Sequence, residues 1–176
     1  MNRRNFLSSS VALGTFAAFF KSSVVGAPLL QDRNRSQPNN KGIRKVIKKD
    51  AEWKRILTPD QYNVTRRKGT ERPFSSPLNE NHQEGFFQCV ACGLPLFSSE
   101  AKFDSGTGWP SFWQPIAKEN VREEVDSSLA EVRTEVLCAR CDSHIGHVFN
   151  DGPRPTGLRY CMNGVALKFV KEKTVK

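Results

Sequence analysis

Two pairs of cysteines constrain this chain more than any other feature. Cys89-Val90-Ala91-Cys92 and Cys138-Ala139-Arg140-Cys141 are C-x-x-C knuckles, with residues 93–137 between them. Four thiolates from two such knuckles close a tetrahedral zinc shell with no open position, a structural rather than a catalytic arrangement. Two disulfides or a redox centre are the competing readings, but two redox centres on one small chain would be an odd pairing. Gly93 follows the first pair and tolerates positive φ; Asp142 follows the second and accepts it better than most residues. The long separation places the knuckles on two different hairpins that the metal pins together. Cys161, the last of five cysteines, is then the one thiol left for chemistry, with no cysteine partner in its own chain.

The chain opens Met1-Asn2-Arg3-Arg4-Asn5-Phe6-Leu7, followed by an apolar, small-residue run to Phe20 and by Val25-Gly26-Ala27. A charged start, a short apolar stretch and a small-residue end describe an export signal over residues 1–27, too short for a membrane span. The paired arginines point to the twin-arginine route. The expected destination is the bacterial periplasm, with the protein free or held by an uncut signal. Residues 28–45 are polar and without periodicity, a disordered linker. Residues 46–176 suit one domain, small enough for a metal clip to help a limited core. The net charge is +9, and without residues 1–27, which hold Arg3, Arg4, Lys21 and no acid, it is +6. The basic residues are scattered, so nucleic acid is not an expected partner.

Trp53, Ile56 and Leu57 recur at helical spacing, and Thr58-Pro59-Asp60-Gln61 has the cap, first-turn proline and capping-box glutamine of a second helix. Beyond Gly69 the pattern turns to strands. Ala130, Val132, Thr134 and Val136 alternate with Glu131, Arg133 and Glu135, which predicts one buried and one wet face. Val165, Leu167 and Phe169 alternate near the end. Short apolar runs at Gly85–Gln88, His147–Phe149 and Leu158–Tyr160 lie between turn residues. The fold class is mainly β, with antiparallel sheets, short N-terminal helices and a structural zinc site made of four cysteines.

A lone cysteine is more often a small buried hydrophobe than a nucleophile. Arg159 and Asn163, two residues to either side of Cys161, share its face in a strand. A guanidinium there favours the thiolate, the attacking form, and Asn163 offers an amide to a substrate oxygen. His144 or His147, not needed by a four-thiolate metal site, can supply a proton.

The segments Gly106-Thr107-Gly108-Trp109-Pro110-Ser111-Phe112, His144–Pro153 and Pro155–Asn163, together with the two knuckles, resemble the type B methionine sulfoxide reductases, from about Trp53 to Phe169. The resemblance implies a β-tent-like fold, structural zinc, and reduction of the R epimer of methionine sulfoxide in oxidised proteins by a monomeric enzyme. It implies that Cys161 attacks the sulfoxide sulfur and becomes a sulfenic acid. His147 would protonate the oxygen, His144 and Asn163 would position the substrate, and Trp109, with Phe149 nearby, would pack on the S-methyl group. Many members of that family have a recycling cysteine where this chain has Thr107. An external thiol, from a thioredoxin-like protein or a small molecule, must then regenerate Cys161. Gly164 also stands where serine is common. A zinc-stabilised binding module of the same fold, with Cys161 inert, is the alternative.

Overall fold

The computed structural model describes residues 42–129 and 131–172. The expected export signal, and the expected linker as far as residue 41, lie outside the described residues. No helix among the described residues is long and apolar enough to cross a membrane.

Two helices come first, α1 (Asp50–Ile56) and α2 (Pro59–Arg67). In α2, Thr58 accepts from the Gln61 amide while the Gln61 side chain accepts from the Thr58 amide, the reciprocal box its sequence predicts. In α1 the buried stripe is Trp53 with Leu57 just beyond the helix; Ile56 points to solvent. The 3.6-residue period allows either neighbour onto that face, and packing selects Leu57. Arg66 of α2 lies 4.9 Å from the Trp53 ring and donates to the Cys141 carbonyl, so the helices sit over the second knuckle. Ile43 and Val46 pack on the same core.

The remaining elements form two antiparallel sheets. β1 (Gly85–Cys89), β2 (Pro95–Ser98) and β9 (Leu167–Lys171) make one, in the order β2-β1-β9. The other comprises β3 (Lys102–Phe103), β4 (Ser111–Phe112), β5 (Val121–Asp126), β6 (Arg133–Cys138), β7 (His144–Phe149) and β8 (Arg159–Met162), in the order β3-β4-β8-β7-β6-β5. This is the mainly β, antiparallel class expected. Aromatic rings join the sheets. Phe112 of β4 stacks on Phe97 of β2 at 4.5 Å and meets Phe87 of β1 edge-on at 5.0 Å. All three are fully buried, and each such burial contributes about 1.5–3 kcal/mol.

The alternation expected at Ala130–Val136 fails in an informative way. Ala130 lies outside the described residues, Val132 is exposed, and the strand begins at Arg133. Inside β6 both faces are covered, and Glu135 on the face expected to be wet is only 2 % exposed. A carboxylate survives there because it is paired: His144 Nδ1 lies 2.7 Å from one oxygen and Lys68 Nζ 2.6 Å from the other. Burial of a charge requires such partners.

Candidate active site

The knuckles occupy the two hairpins expected of them. Cys89 ends β1 and Cys92 lies in its turn into β2; Cys138 ends β6 and Cys141 lies in the turn into β7. Gly93 and Asp142 both take positive φ, 72° and 56°, which lets each chain double back over its sulfurs. The four Sγ atoms lie within 4.8 Å of one another, with Cys89–Cys141 at 3.6 Å and Cys92–Cys138 at 3.5 Å. Tetrahedral zinc with sulfur ligands at about 2.3 Å requires sulfur–sulfur edges near ~3.8 Å, so the donor set fits a metal ion. Crowded thiols divide against one another: the contact between them pushes Cys138 up and holds Cys141 well below its ordinary range. A shared cation lets all four ionise together.

Cys161 sits in the middle of the larger sheet. Across β4 it faces Ser111, and across β7 it faces His147. Directly opposed residues of an antiparallel pair project to the same face, so Cys161 and His147 are one rung of the ladder. The next residues on that face, Phe149 and Arg159, are also paired. The Arg159 guanidinium lies 4.4 Å over the Phe149 ring and is held by two hydrogen bonds of 2.8 Å to Asp151. Burial pushes the Cys161 thiol up, while the Thr107 hydroxyl, the Arg159 guanidinium and Ser111 draw it down.

A cavity of about 120 Å³ opens over this face, and Cys161, His147, Asn163, Trp109 and Phe149 all line it, with Arg133, Thr70 and Gly146. A larger hollow of about 660 Å³ lies beyond Glu71 and is lined by neither a cysteine nor a histidine, so Cys161 and His147 meet at the smaller one. His144 does not line the cavity. It is 2 % exposed, its Nδ1 is bound to Glu135, and its ring centre lies 5.3 Å from that of His147. Burial pulls its pKa down against the pull of Glu135.

Several residues here escape any reading of motifs. His147 Nε2 lies 2.8 Å from an Asp126 oxygen that also accepts from Arg133. Ser128, then His147 and Arg133, hold the Asp126 carboxyl well below the usual range, so an anion stands beside the imidazole. Glu71 ties three parts of the site. Its carbonyl accepts from the Trp109 indole, its amide donates to Asn163 Oδ1, and its carboxylate accepts from the amides of Gly164 and Val165. Burial raises the Glu71 carboxyl against those two donors. Asn163 spends one N–H on the Ile145 carbonyl, leaving the other for a ligand. Glu71 and Asp126 are isolated acids in loops or strand ends, and no spacing in the sequence marks them.

A family model described as the SelR domain matches residues 57–171. The chain belongs to the SelR family. Proteins named peptide methionine sulfoxide reductase MsrB are similar to it. The one from Hahella chejuensis is 58% identical over 125 residues, 71% of this chain and 90% of that protein. Those from Methanosarcina mazei and Leptospira interrogans are 56% and 55% identical, over 73% and 72% of this chain and 92% and 97% of their own lengths. In this SelR domain, the glycine noted at position 164 has a local cause. A Cβ there would stand 2.0 Å from Ser76 Oγ and 2.5 Å from Ser76 Cβ.

Gly164→Ser is therefore expected to destabilise the domain by about 1–3 kcal/mol, the usual cost of overpacking. Ser76→Gly in the same chain should restore most of the loss. Guanidinium unfolding of the single and double variants measures both; equal stability of Gly164→Ser and wild type would contradict the interlock.

Proposed function

We propose that this SelR domain reduces the R epimer of methionine sulfoxide in oxidised proteins, through a Cys161 sulfenic acid that an external thiol returns to the thiol. The observation that carries the reading is the single rung His147–Cys161 facing one cavity with Trp109. The Cys161 thiolate attacks the sulfoxide sulfur. The oxygen takes a proton from His147 and passes to Cys161, whose sulfur loses two electrons as the substrate sulfur gains them. Methionine leaves, and Cys161 carries S–OH. Asp126 stabilises the charged imidazole and orients it, as a carboxylate does behind a catalytic histidine. His144, buried behind His147, acts through it. Trp109 and Phe149 receive the S-methyl group, and the spare N–H of Asn163 holds the sulfoxide oxygen.

Regeneration needs two equivalents of thiol. The first displaces water from the sulfenic acid to give a mixed disulfide, and the second releases Cys161. The other four cysteines are gathered in the metal cluster, and position 107 beside Cys161 holds a hydroxyl. The electron donor is therefore a thioredoxin-like protein or a small thiol. The protein is proposed to act as a monomer.

With dithiothreitol as donor, the R epimer is expected to be turned over and the S epimer left. Cys161→Ser should lower the rate roughly 10³-fold or more. Equal turnover of both epimers, or an active serine variant, contradicts the assignment.

The cluster of Cys89, Cys92, Cys138 and Cys141 is proposed to hold one zinc ion as a structural staple, supplying folding energy and no reactive position. Cys138→Ser should lose the metal and unfold at lower denaturant. Metal analysis of a folded, active wild type without zinc would end this reading.

Export through the twin-arginine route to the bacterial periplasm is proposed from Arg3-Arg4 and the apolar run after them. Replacing both arginines by lysine should leave precursor in the cytoplasm; unimpaired export would indicate another route.

A further inference from the structure

We propose that Thr107, Ser105 and Ser111 form a reorientable hydroxyl chain serving the sulfur of Cys161, in which Thr107 donates to the thiolate and the whole chain reverses when the thiol is protonated. The proposal rests on the reading of Cys161 as the nucleophile. Thr107 Oγ1 lies 3.8 Å from Cys161 Sγ, within reach of a hydrogen bond to sulfur. Thr107 Oγ1 is 2.8 Å from Ser105 Oγ, and Ser105 Oγ is 2.7 Å from Ser111 Oγ. Ser111 Oγ reaches the Trp109 carbonyl at 3.1 Å. The links are therefore four: sulfur to Thr107, Thr107 to Ser105, Ser105 to Ser111, and Ser111 to a carbonyl.

Counting protons fixes the direction. Each hydroxyl owns one proton and can accept on two lone pairs, and the carbonyl only accepts. With Cys161 as a thiol there are four protons for four links, all pointing away from the sulfur: S–H to Thr107, and so on to the Trp109 carbonyl. With Cys161 as a thiolate, three protons remain for the four links, and both ends of the chain are acceptors. One link must then go unmade. A hydrogen bond to a charged acceptor is roughly twice as strong as one to a neutral one, so the link surrendered is the one to the carbonyl, which is also the longer oxygen–oxygen contact. Thr107 turns its proton to the sulfur, Ser105 turns to Thr107, and Ser111 turns to Ser105. Ser111 is fully buried, so solvent does not reach that end of the chain, and a buried hydroxyl without a partner is costly. The chain is thus a switch in polarity and not a path for protons to bulk water.

The surroundings add the competing charges. Arg159 stands on the same strand as Cys161; His147 faces it from β7 with Asp126 behind; and Arg133 of β6 lines the same cavity. β4 and the loop before it contribute hydroxyls, and the loop's acid, Asp104, is turned to the Gly106 amide. Burial raises the Cys161 thiol, and the hydroxyl chain opposes that burial from the side of the sulfur away from His147. Thr107 touches the reacting sulfur; Ser111, the rung partner of Cys161, also draws the thiol down directly, and Ser105 acts through Thr107 as a positioning residue.

The test is the rate of iodoacetamide alkylation of Cys161 against pH on the metal-loaded full chain, read from the mass of the peptide that contains Cys161. Thr107→Val keeps the shape and removes the proton. Its profile should shift to higher pH by about one unit, roughly a 10-fold slower reaction below both midpoints. Thr107→Ser should follow the wild type. Ser105→Ala, which does not touch Cys161, should shift the profile in the same direction by a smaller amount. Should Thr107→Val fail to fold, as judged by near-UV circular dichroism, Ser105→Ala carries the test alone. Profiles of both variants that superimpose on the wild type overturn the proposal, as does a shift confined to Thr107→Val. Alkylation needs no sulfoxide, so a chain inactive on methionine sulfoxide but with shifted profiles would remove the reductase reading and leave the hydroxyl chain standing.

Discussion

The contact among four cysteine sulfurs is the constraint on which the rest of this structure hangs. Each sheet supplies two ligands, Cys89 and Cys92 from the smaller, Cys138 and Cys141 from the larger. A metal held there closes the junction between the sheets at one end, while the rings of Phe87, Phe97 and Phe112 close it through the core. The elements that carry His147 and Asn163 lead directly away from that junction. β7, with His147, begins three residues after Cys141. The amide of Val90 in the first knuckle donates to the Ala166 carbonyl, in the turn that follows Asn163. Disturbing the cluster therefore disturbs both sides of Cys161.

Around Cys161 the positioning is done largely by backbone. His147 and Ser111 are placed by strand register, and the Asn163 amide donates to the Ile145 carbonyl. Glu71, on a loop with little secondary structure of its own, fastens the Trp109 indole and the Asn163 amide group from outside the sheet. Rigid strands under a loop-borne clamp give the geometric precision that the proposed attack by Cys161 would require.

The sequence makes some of this legible and hides the rest for physical reasons. The knuckles, the capped helix at Thr58, and the strand carrying Cys161 announce themselves because ligand spacing, capping chemistry and hydrophobic period are local properties. Asp126, Glu71 and Glu135 do not, because what makes each of them matter is a partner brought in by the fold: His147, Asn163 and His144. Glu135 is the sharpest case. Its place in an alternating strand points it to water, and only the arrival of Lys68 and His144 from other elements makes its burial tolerable. Ile56 errs the opposite way: apolar and at helical spacing, it lies one position off the stripe that packing uses.

The ladder that carries Cys161 reaches beyond the single molecule. Because His147 and Cys161 are opposite members of one rung, their separation is set by interstrand hydrogen bonds and not by the connection between Asp151 and Leu158. That connection has constraints of its own, since a Cβ at Gly152 would stand 1.9 Å from the Leu158 carbonyl oxygen, but the rung depends on it only in that the strands must re-enter in step. The side-chain period of a strand is two, so a slip by one residue would turn Cys161 to the core and bring Tyr160 or Met162 to the cavity. The juxtaposition of Cys161 and His147 is therefore quantised: register keeps it whole or loses it whole, with no intermediate step along which to drift.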